Sequence, residues 1–314
     1  MSDRRYHFVL NPRSGTALAL GLTSETLRGL LESQGYEATI DADDDAPFPE
    51  RIERARACDC EVVVAAGGDG TASGLAAALA GSHKTLAVMP LGTVNSLAKD
   101  ISVPLDIDSW LATLRTMEPR RIDVGEVNGR LFLHMVVIGL IPGLAKGREV
   151  LRGKKAFAAK IGLLQYFLRR LSRARRLAIQ IDPTDGDAWT ERIQSVAVVC
   201  NAYEEGLGKV LIRETLDGGE LTLYVLKRLE LSDVGRLGIK MVLGHWQDDA
   251  ALTIHRAREV TIRSHKPRLQ VMLDGEIQSL EVPLHFKIKP QALSVLAAPT
   301  SAEKTRPADE QLGS

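Results

Sequence analysis

Blocks of apolar residues alternate with amphipathic stretches over the first third of the chain. Strands are predicted at 6–10, 37–41, 61–66 and 85–90. The runs at 61–66 and 85–90 are apolar without polar alternation, so these two strands are expected to be buried on both faces. Apolar residues spaced three or four apart predict helices; these lie at about 20–35, 72–80, directly after Gly92 and at about 106–117. The alternation of strand and helix favours a doubly wound, Rossmann-like α/β domain with a parallel sheet.

Beyond about residue 121 the pattern becomes rich in strands. They are predicted at 121–127, 131–139, 177–182, 193–200, 220–226, 258–263, 268–273 and 282–288, with helical stretches at about 144–176 and 231–243. The dipeptide Asn128-Gly129 is a hairpin signal between the first two strands. We therefore expect an α/β domain over 1–122 and an antiparallel β-sandwich domain over 123–288. Residues 300–314 are polar without periodicity and are expected to form a disordered tail.

Composition narrows the class of protein. The 314 residues carry 40 Lys and Arg against 40 Asp and Glu, so the overall charge does not indicate a nucleic-acid partner. The three cysteines cannot form a disulfide framework, have no histidines beside them for a zinc site, and are expected to be reduced thiols. No long apolar segment predicts a secretory signal or a membrane span. A cytoplasmic location is expected.

The stretch GGDGT at 67–71 ends the third predicted strand. Gly67, Gly68 and Gly70 let the backbone turn sharply and let a ligand approach closely. The following helix presents free N–H groups and its positive dipole end, which suit a phosphate. Thr71 is expected at the N-cap of that helix, and Asp69 makes sense if Mg²⁺ or a hydroxyl donor mediates its contact with the ligand. The alternative is a tightly packed joint between strand and helix with no ligand.

Two further loops carry similar chemistry. NPRSG follows the first strand and PLGTVN follows the fourth. Because the carboxyl ends of parallel strands meet at one edge of a sheet, all three loops should converge there. The residues expected to join the Asp69 loop are Asn11, Ser14, Gly15, Gly92, Thr93 and Asn95.

The ordered set of motifs resembles the diacylglycerol kinase catalytic domain family, which includes bacterial lipid kinases and sphingosine kinases. The motifs are NPRSG at 11–15, GGDGT at 67–71, PLGTVN at 90–95, DGGEL at 217–221 and LDGE at 273–276. The resemblance implies a two-domain kinase that uses ATP and Mg²⁺ and phosphorylates a lipid hydroxyl in the cleft between its domains. It also implies that residues 289–299 return to the first domain. NAD kinases share GGDGT, but their downstream Asn-Glu motif is not found here.

The resemblance implies a role for individual residues. Asn11, Gly68, Asp69, Gly70 and Thr71 fall on nucleotide-binding positions, and Thr93 and Asn95 match the third loop. Glu276 matches the general base, which with Asp69 makes the predicted catalytic pair, and Asp217 matches a position that helps hold a structural Mg²⁺. The residues themselves leave alternatives open: Glu276 as an exposed hairpin residue, Asp217 as a turn residue, and Asp274 as either a turn residue or one that orients Glu276.

The sequence departs from the family at two places. Ser96 stands where the family has Asp, and in HMVVIGLIPG at 134–143 His134 stands for Asn, with Ile141 or Pro142 in place of a second Asp. In the family these aspartates join the GGDGT aspartate in a network around Mg²⁺. An alternative is therefore a nucleotide- or lipid-binding protein that has lost phosphate transfer.

The segment 152–176 contains nine basic residues and no acidic residue. Leu and Phe recur in it at helical spacing, as in helices that lie on anionic membranes. We expect a lipid substrate and a peripheral position at the inner face of the membrane. The alternative is a helix that packs into the core with a solvated basic face. No nucleic-acid module is found, and a homodimer through strand edges is compatible with a β-sandwich.

Overall fold

The computed structural model describes residues 4–139, 176–206, 212–228 and 231–299. The chain divides into two compact units, one formed by residues 1–122 with 293–314 and the other by residues 123–292. Residues 152–175 of the predicted basic segment, Ile141 and the predicted tail 300–314 lie outside the described residues. Within the described residues, no helix is both long and apolar enough to cross a membrane.

The first unit is built on a parallel sheet with the strand order β2-β1-β3-β4-β16. Its strands are β1 (Tyr6–Leu10), β2 (Ala38–Asp41), β3 (Val62–Gly67), β4 (Thr85–Pro90) and the end of β16 (Leu284–Ala297). Its helices are α1 (Gly15–Leu20), α2 (Ser24–Ser33), α3 (Phe48–Ala57), α4 (Asp69–Leu79), α5 (Ser96–Asp100) and α6 (Ile107–Thr113), followed by a 3₁₀ turn (Leu114–Thr116). β2 lies on one side of β1, whereas β3 and β4 follow on the other side. The strand order therefore reverses between β1 and β3, which is the topological switch point of the sheet.

The helix predicted at about 20–35 is two helices in the structure. Gly21 adopts a left-handed conformation, with φ of 60°, and ends α1. Thr23 then starts α2 through a capping box with Thr26. Two strong local signals, a left-handed glycine and an N-cap hydroxyl, therefore interrupt the apolar periodicity.

A buried ion pair joins the ends of β1 and β2. Arg51 of α3 and Asp41 at the end of β2 are each 6% exposed, and Arg51 Nε lies 2.9 Å from Asp41 Oδ1. Nη2 of Arg51 also donates to the carbonyl oxygens of Leu10 (2.8 Å) and Asp41 (2.7 Å). The guanidinium thereby fixes the backbone immediately before Asn11, where the first predicted loop begins.

The second unit contains two antiparallel sheets around one core. One sheet has the order β12-β11-β10-β7-β14-β15, and in the other β16 pairs with β13, β13 with β8, and β8 with β9, with β5 and β6 alongside. The strands are β5 (Glu118–Val127), β6 (Arg130–Phe132), β7 (Met135–Gly139), β8 (Leu177–Pro183), β9 (Trp189–Ile193), β10 (Ser195–Cys200), β11 (Leu221–Leu226), β12 (Leu252–Ala257), β13 (Glu259–Ser264), β14 (Arg268–Leu273) and β15 (Glu276–Glu281). Side chains from both sheets form a single apolar cluster. The predicted fold class, a doubly wound α/β domain plus an antiparallel β-sandwich, is confirmed.

Three details of the second unit differ from the predictions. The predicted strand 131–139 is interrupted at Leu133 and His134, and three strands, β9, β12 and β15, were not predicted. The predicted strand 282–288 is only the beginning of β16, which continues into the first unit and pairs there with β4. The predicted helix at 231–243 is present as α7 (Leu231–Leu243).

Helix α7 is attached through a buried carboxylate. Arg236 donates through Nε (2.9 Å) and Nη2 (2.8 Å) to Asp249, whose side chain is fully buried. Lys240 lies 3.3 Å from the same carboxylate. These charge-assisted hydrogen bonds lower the pKa of Asp249, so it stays ionised and keeps both partners at neutral pH.

The cysteine prediction is wrong for one pair. Cys58 and Cys60, expected as reduced thiols, form a disulfide after helix α3, whereas Cys200 is free and buried. Two cysteines separated by a single residue gave no sign of pairing in the sequence, because pairing at that distance depends on the local backbone turn.

Candidate functional site

Three loops meet at the carboxyl edge of the first unit's sheet, and we call this place the three-loop edge. Backbone hydrogen bonds join them: Asn11 N donates to Ala66 O (2.8 Å), Thr16 N to Leu91 O (3.0 Å) and Leu91 N to Gly67 O (3.0 Å). The loops after β1, β3 and β4 are therefore neighbours. The structure brings together the residues that the sequence predicted there: Asn11, Ser14, Gly15, Gly67, Gly68, Asp69, Gly70, Thr71, Gly92, Thr93 and Asn95.

Asp69 connects the second loop to the third. Its carboxylate accepts hydrogen bonds from the backbone N–H groups of Asn95 (3.0 Å) and Ser96 (2.6 Å), which begin helix α5. Asn95 itself is left-handed, with φ of 54°, and its side-chain amide bonds to both the N–H and the carbonyl of Gly92. The sequence suggested that Asp69 faces Mg²⁺ or a hydroxyl. In the structure its oxygens satisfy backbone donors, which fixes the shape of the third loop.

Glycine is required where the second and third loops touch. A Cβ on Gly92 would lie 2.6 Å from the Cα of Gly68 and 2.8 Å from Oδ1 of Asn95. A Cβ on Gly67 would overlap Oγ1 of Thr71. These distances are too short for carbon, so the glycines are there for the close approach of two backbones as well as for any ligand.

Replacing Gly92 by alanine should weaken nucleotide binding at least about tenfold, because the new methyl group forces the loops apart at a cost of about 1–3 kcal/mol. The measurement is titration of the protein with ATP by calorimetry. Gly29→Ala is the matched control, since a Cβ on this α2 glycine meets nothing within 4 Å. Equal ATP affinity of Gly92→Ala and Gly29→Ala would contradict the assignment of the loops.

The helix after GGDGT begins earlier than the sequence predicted. Gly68 is the N-cap of α4 and Asp69 is its first residue, so Thr71 is the third residue of the helix rather than its N-cap. The extended backbone of Gly68 and the favourable place of a carboxylate at the positive helix end account for this start. Thr71 is buried against Gly67 instead.

Ser14 provides the clearest sign of a ligand at the three-loop edge. Its side chain is 8% exposed, and its Oγ has no hydrogen-bond partner among the described residues. A buried hydroxyl without a partner is costly unless something else bonds to it. A phosphate oxygen from a nucleotide would accept that hydrogen bond, and the N-terminus of the eleven-residue helix α4 supplies further donors. The residues present therefore fit the phosphates of ATP.

The described residues fit a metal ion less well. None of them form a group of three or more His, Cys, Asp or Glu side chains that could hold one. Asp69 already bonds to two backbone N–H groups, and Asp217 is exposed in the loop before β11. The role of Asp217 in holding Mg²⁺ stays a prediction.

Asp123 is a buried carboxylate that the sequence reasoning did not single out. It is fully buried, and it accepts hydrogen bonds from Asn201 Nδ2 (3.1 Å), Gly219 N (2.7 Å) and Gln291 N (2.8 Å). Its own N–H donates to Leu216 O (2.7 Å). It thereby fixes the loop that carries Asp217. The sequence signal that could have revealed it is a carboxylate placed between two apolar residues of β5, Ile122 and Val124.

Glu276 occupies the first position of β15, directly after a tight turn. Asp274 and Gly275 form that turn with φ of 44° and 95°, and Glu276 lies opposite Leu273 in the hairpin. Its side chain is exposed and makes no hydrogen bond or ion pair with any residue that the structure describes. An exposed, unpaired carboxylate is compatible with either reading, a general base or a simple hairpin residue.

His134 is a poor candidate for acid–base chemistry. Burial, with a smaller contribution from the charge of Arg213, holds the pKa of its imidazole well below the ordinary value. It is therefore neutral at physiological pH. Its backbone N–H donates to Asp274 (2.9 Å), and it lies in the interruption between β6 and β7.

The two predicted catalytic residues belong to different units. Asp69 is in the first unit and Glu276 in the second. That they face one another across a cleft stays a prediction.

Fold and loops together define the class of this protein: a doubly wound α/β unit with phosphate-compatible loops, continued by an antiparallel β-sandwich. Residues 5–127 match the family described as "Diacylglycerol kinase catalytic domain". Residues 150–297 match the "YegS C-terminal NAD kinase beta sandwich-like domain". The chain therefore carries a match to the diacylglycerol kinase catalytic domain followed by a match to the YegS-type β-sandwich domain, as the resemblance in its motifs suggested.

Individual relatives agree with the family match. A protein named "Diacylglycerol kinase" from Bacillus subtilis (strain 168) is 27% identical over 280 residues, which cover 87% of this chain and 90% of the relative. One of the same name from Staphylococcus carnosus (strain TM300) is 25% identical over 290 residues, covering 90% and 92%. A crystal structure of a diacylglycerol kinase from Bacillus anthracis str. Sterne has a TM-score of 0.64 at 19% identity, covering 95% and 97% of the two chains, and shows the same fold.

Proposed function

We propose that the protein is an ATP-dependent lipid kinase that phosphorylates a hydroxyl group of a diacylglycerol-like or sphingoid lipid. The observation that carries the proposal is the three-loop edge. There Asp69 bonds the third loop to the second, and the buried hydroxyl of Ser14 has no partner among the described residues. The names of the relatives support a lipid acceptor.

The reaction transfers a phosphoryl group between two oxygen atoms. The lipid hydroxyl oxygen forms a bond to the γ-phosphorus while the bond from that phosphorus to the β,γ-bridging oxygen breaks, and ADP leaves with the electron pair. Glu276 accepts the proton of the hydroxyl group. The loops position the phosphates through hydroxyl groups and backbone N–H groups, which is the main task of a protein in phosphoryl transfer.

A second candidate function is binding of nucleotide or lipid without transfer. Ser96 favours it, because this position contributes a backbone N–H to Asp69 and no carboxylate to the site. The presence of Glu276, which matches the family's general base, favours catalysis. A cytoplasmic location, contact of segment 152–176 with an anionic membrane, and a homodimer stay predictions.

The test is a transfer assay with γ-labelled ATP and mixed micelles that contain diacylglycerol, monoacylglycerol or sphingosine. We expect labelled phosphate to appear in at least one of these lipids, and only in samples that contain the folded protein. Calorimetry with ATP accompanies the assay. Binding of ATP without labelling of any lipid would contradict the kinase proposal and favour the second candidate.

A further inference from the structure

The position of Glu276 is set through its backbone. The carboxylate has no hydrogen-bond or ion-pair partner in the described part of the chain, so no neighbouring side chain orients it there. Its backbone, by contrast, leaves a turn whose two residues, Asp274 and Gly275, are both left-handed. Whatever fixes this turn also fixes where the Glu276 side chain begins.

Asp274 fixes the turn to a separate part of the sandwich. Its carboxylate accepts three backbone hydrogen bonds, from Leu133 N (2.7 Å), His134 N (2.9 Å) and Met135 N (3.1 Å). Its own N–H donates to Met135 O (3.0 Å). The hairpin of β14 and β15 is therefore attached at its tip to the interruption between β6 and β7.

A turn by itself does not require aspartate at this position. Glycine and asparagine adopt the left-handed conformation at least as readily. Three N–H donors around one side chain do require a group that only accepts hydrogen bonds, and an ionised carboxylate is such a group. The amide of asparagine would place a donor against one of the three N–H groups.

We propose that Asp274 is a positioning residue for Glu276, which it places by bonding the turn to the backbone of residues 133–135. The inference rests on the proposed function, since it assumes that Glu276 accepts the proton of the substrate. The sequence left two roles open for Asp274, a turn residue or a residue that orients Glu276, and the proposal favours the second. Arg213 supports the same region, because its Nη1 donates to the carbonyl oxygen of Leu133 (2.8 Å).

The test replaces Asp274 by asparagine in the full chain. We expect the transfer rate to fall about 10–100-fold, as for a small displacement of a reacting group, with the KM for ATP unchanged. Amide hydrogen exchange at residues 133–135 and at Glu276 should become faster. Asp185→Asn, in the exposed turn between β8 and β9, is the matched control and should change neither rate nor exchange.

A double-mutant cycle separates positioning from general stabilisation. If Asp274 acts through Glu276, Asp274→Asn causes no further loss of rate in a Glu276→Gln background. An equal loss in both backgrounds, or an unchanged rate in the single variant, would overturn the proposal. Asp274→Gly, which keeps the left-handed turn, replaces the asparagine variant if that one does not fold.

Failure of the proposed function is distinguishable from failure of this inference. A wild-type protein that transfers no phosphate contradicts the kinase, whatever Asp274 does. Hydrogen exchange at 133–135 and Glu276 then still decides whether Asp274 fixes the turn, because it needs no activity. Unchanged exchange in Asp274→Asn would overturn the positioning role by itself.

Discussion

Replacing Glu276 by glutamine should lower the rate of phosphate transfer about 10²–10⁴-fold. Glutamine keeps the size and polarity of the side chain but cannot accept the proton of the lipid hydroxyl group. Affinity for ATP should be unchanged, because the residues proposed to bind its phosphates belong to the first unit. The measurements are single-turnover transfer with labelled ATP and calorimetric titration with ATP.

Glu281→Gln is the matched control for this prediction. Glu281 ends the same strand, is 78% exposed and pairs with Arg268 on the surface. Loss of such a pair changes stability by no more than about 1 kcal/mol and should leave the transfer rate as in the wild type. If Glu276→Gln transfers phosphate as fast as Glu281→Gln, then Glu276 is not the base.

Replacing Arg51 by methionine should lower the free energy of unfolding of the first unit by about 3–5 kcal/mol. The substitution leaves the carboxylate of Asp41 buried without the guanidinium that neutralises it, and it removes two hydrogen bonds to backbone carbonyl groups. Urea unfolding is followed by the fluorescence of Trp110, in a chain whose Trp189 and Trp246 are replaced by phenylalanine.

Two further variants make the Arg51 experiment decisive. Arg56 lies on the same helix, is 63% exposed and pairs with exposed Glu53, so Arg56→Met should cost less than about 1 kcal/mol. The double variant Asp41→Leu with Arg51→Met removes both charges and should recover much of the lost stability. Equal effects of the Arg51 and Arg56 substitutions would show that the buried pair is not what stabilises this edge.

The inner strands of the first unit's parallel sheet, β1, β3 and β4, could be predicted because nearly all of their residues are buried. All residues of β3 are buried, so the run VVVAAG is apolar without alternation. Edge strands give no such signal. β12 and β15 form the two edges of the six-stranded sheet, where most of their residues are half-buried or exposed, and polar side chains are tolerated at many positions.

The gathering of the three loops could also be predicted, since it follows from parallel strands that end in glycine and hydroxyl residues. What those side chains bond to could not. The partners of Asp69 lie 26 and 27 residues away in the sequence, and those of Asp274 lie 139 to 141 residues away. Hydrophobic periodicity describes only the neighbourhood of each residue, so contacts over such separations require the fold.

The passage of β16 from one unit into the other has a consequence for biosynthesis. Ser294 and Val295 pair with Thr85 and Leu86 of β4, so this pairing waits for residues that are translated 209 positions after β4 begins. In a nascent chain that has emerged only to residue 122, β4 can pair with β3, but its other edge has no partner. We expect this free edge to be a binding site for chaperones until β16 has emerged from the ribosome.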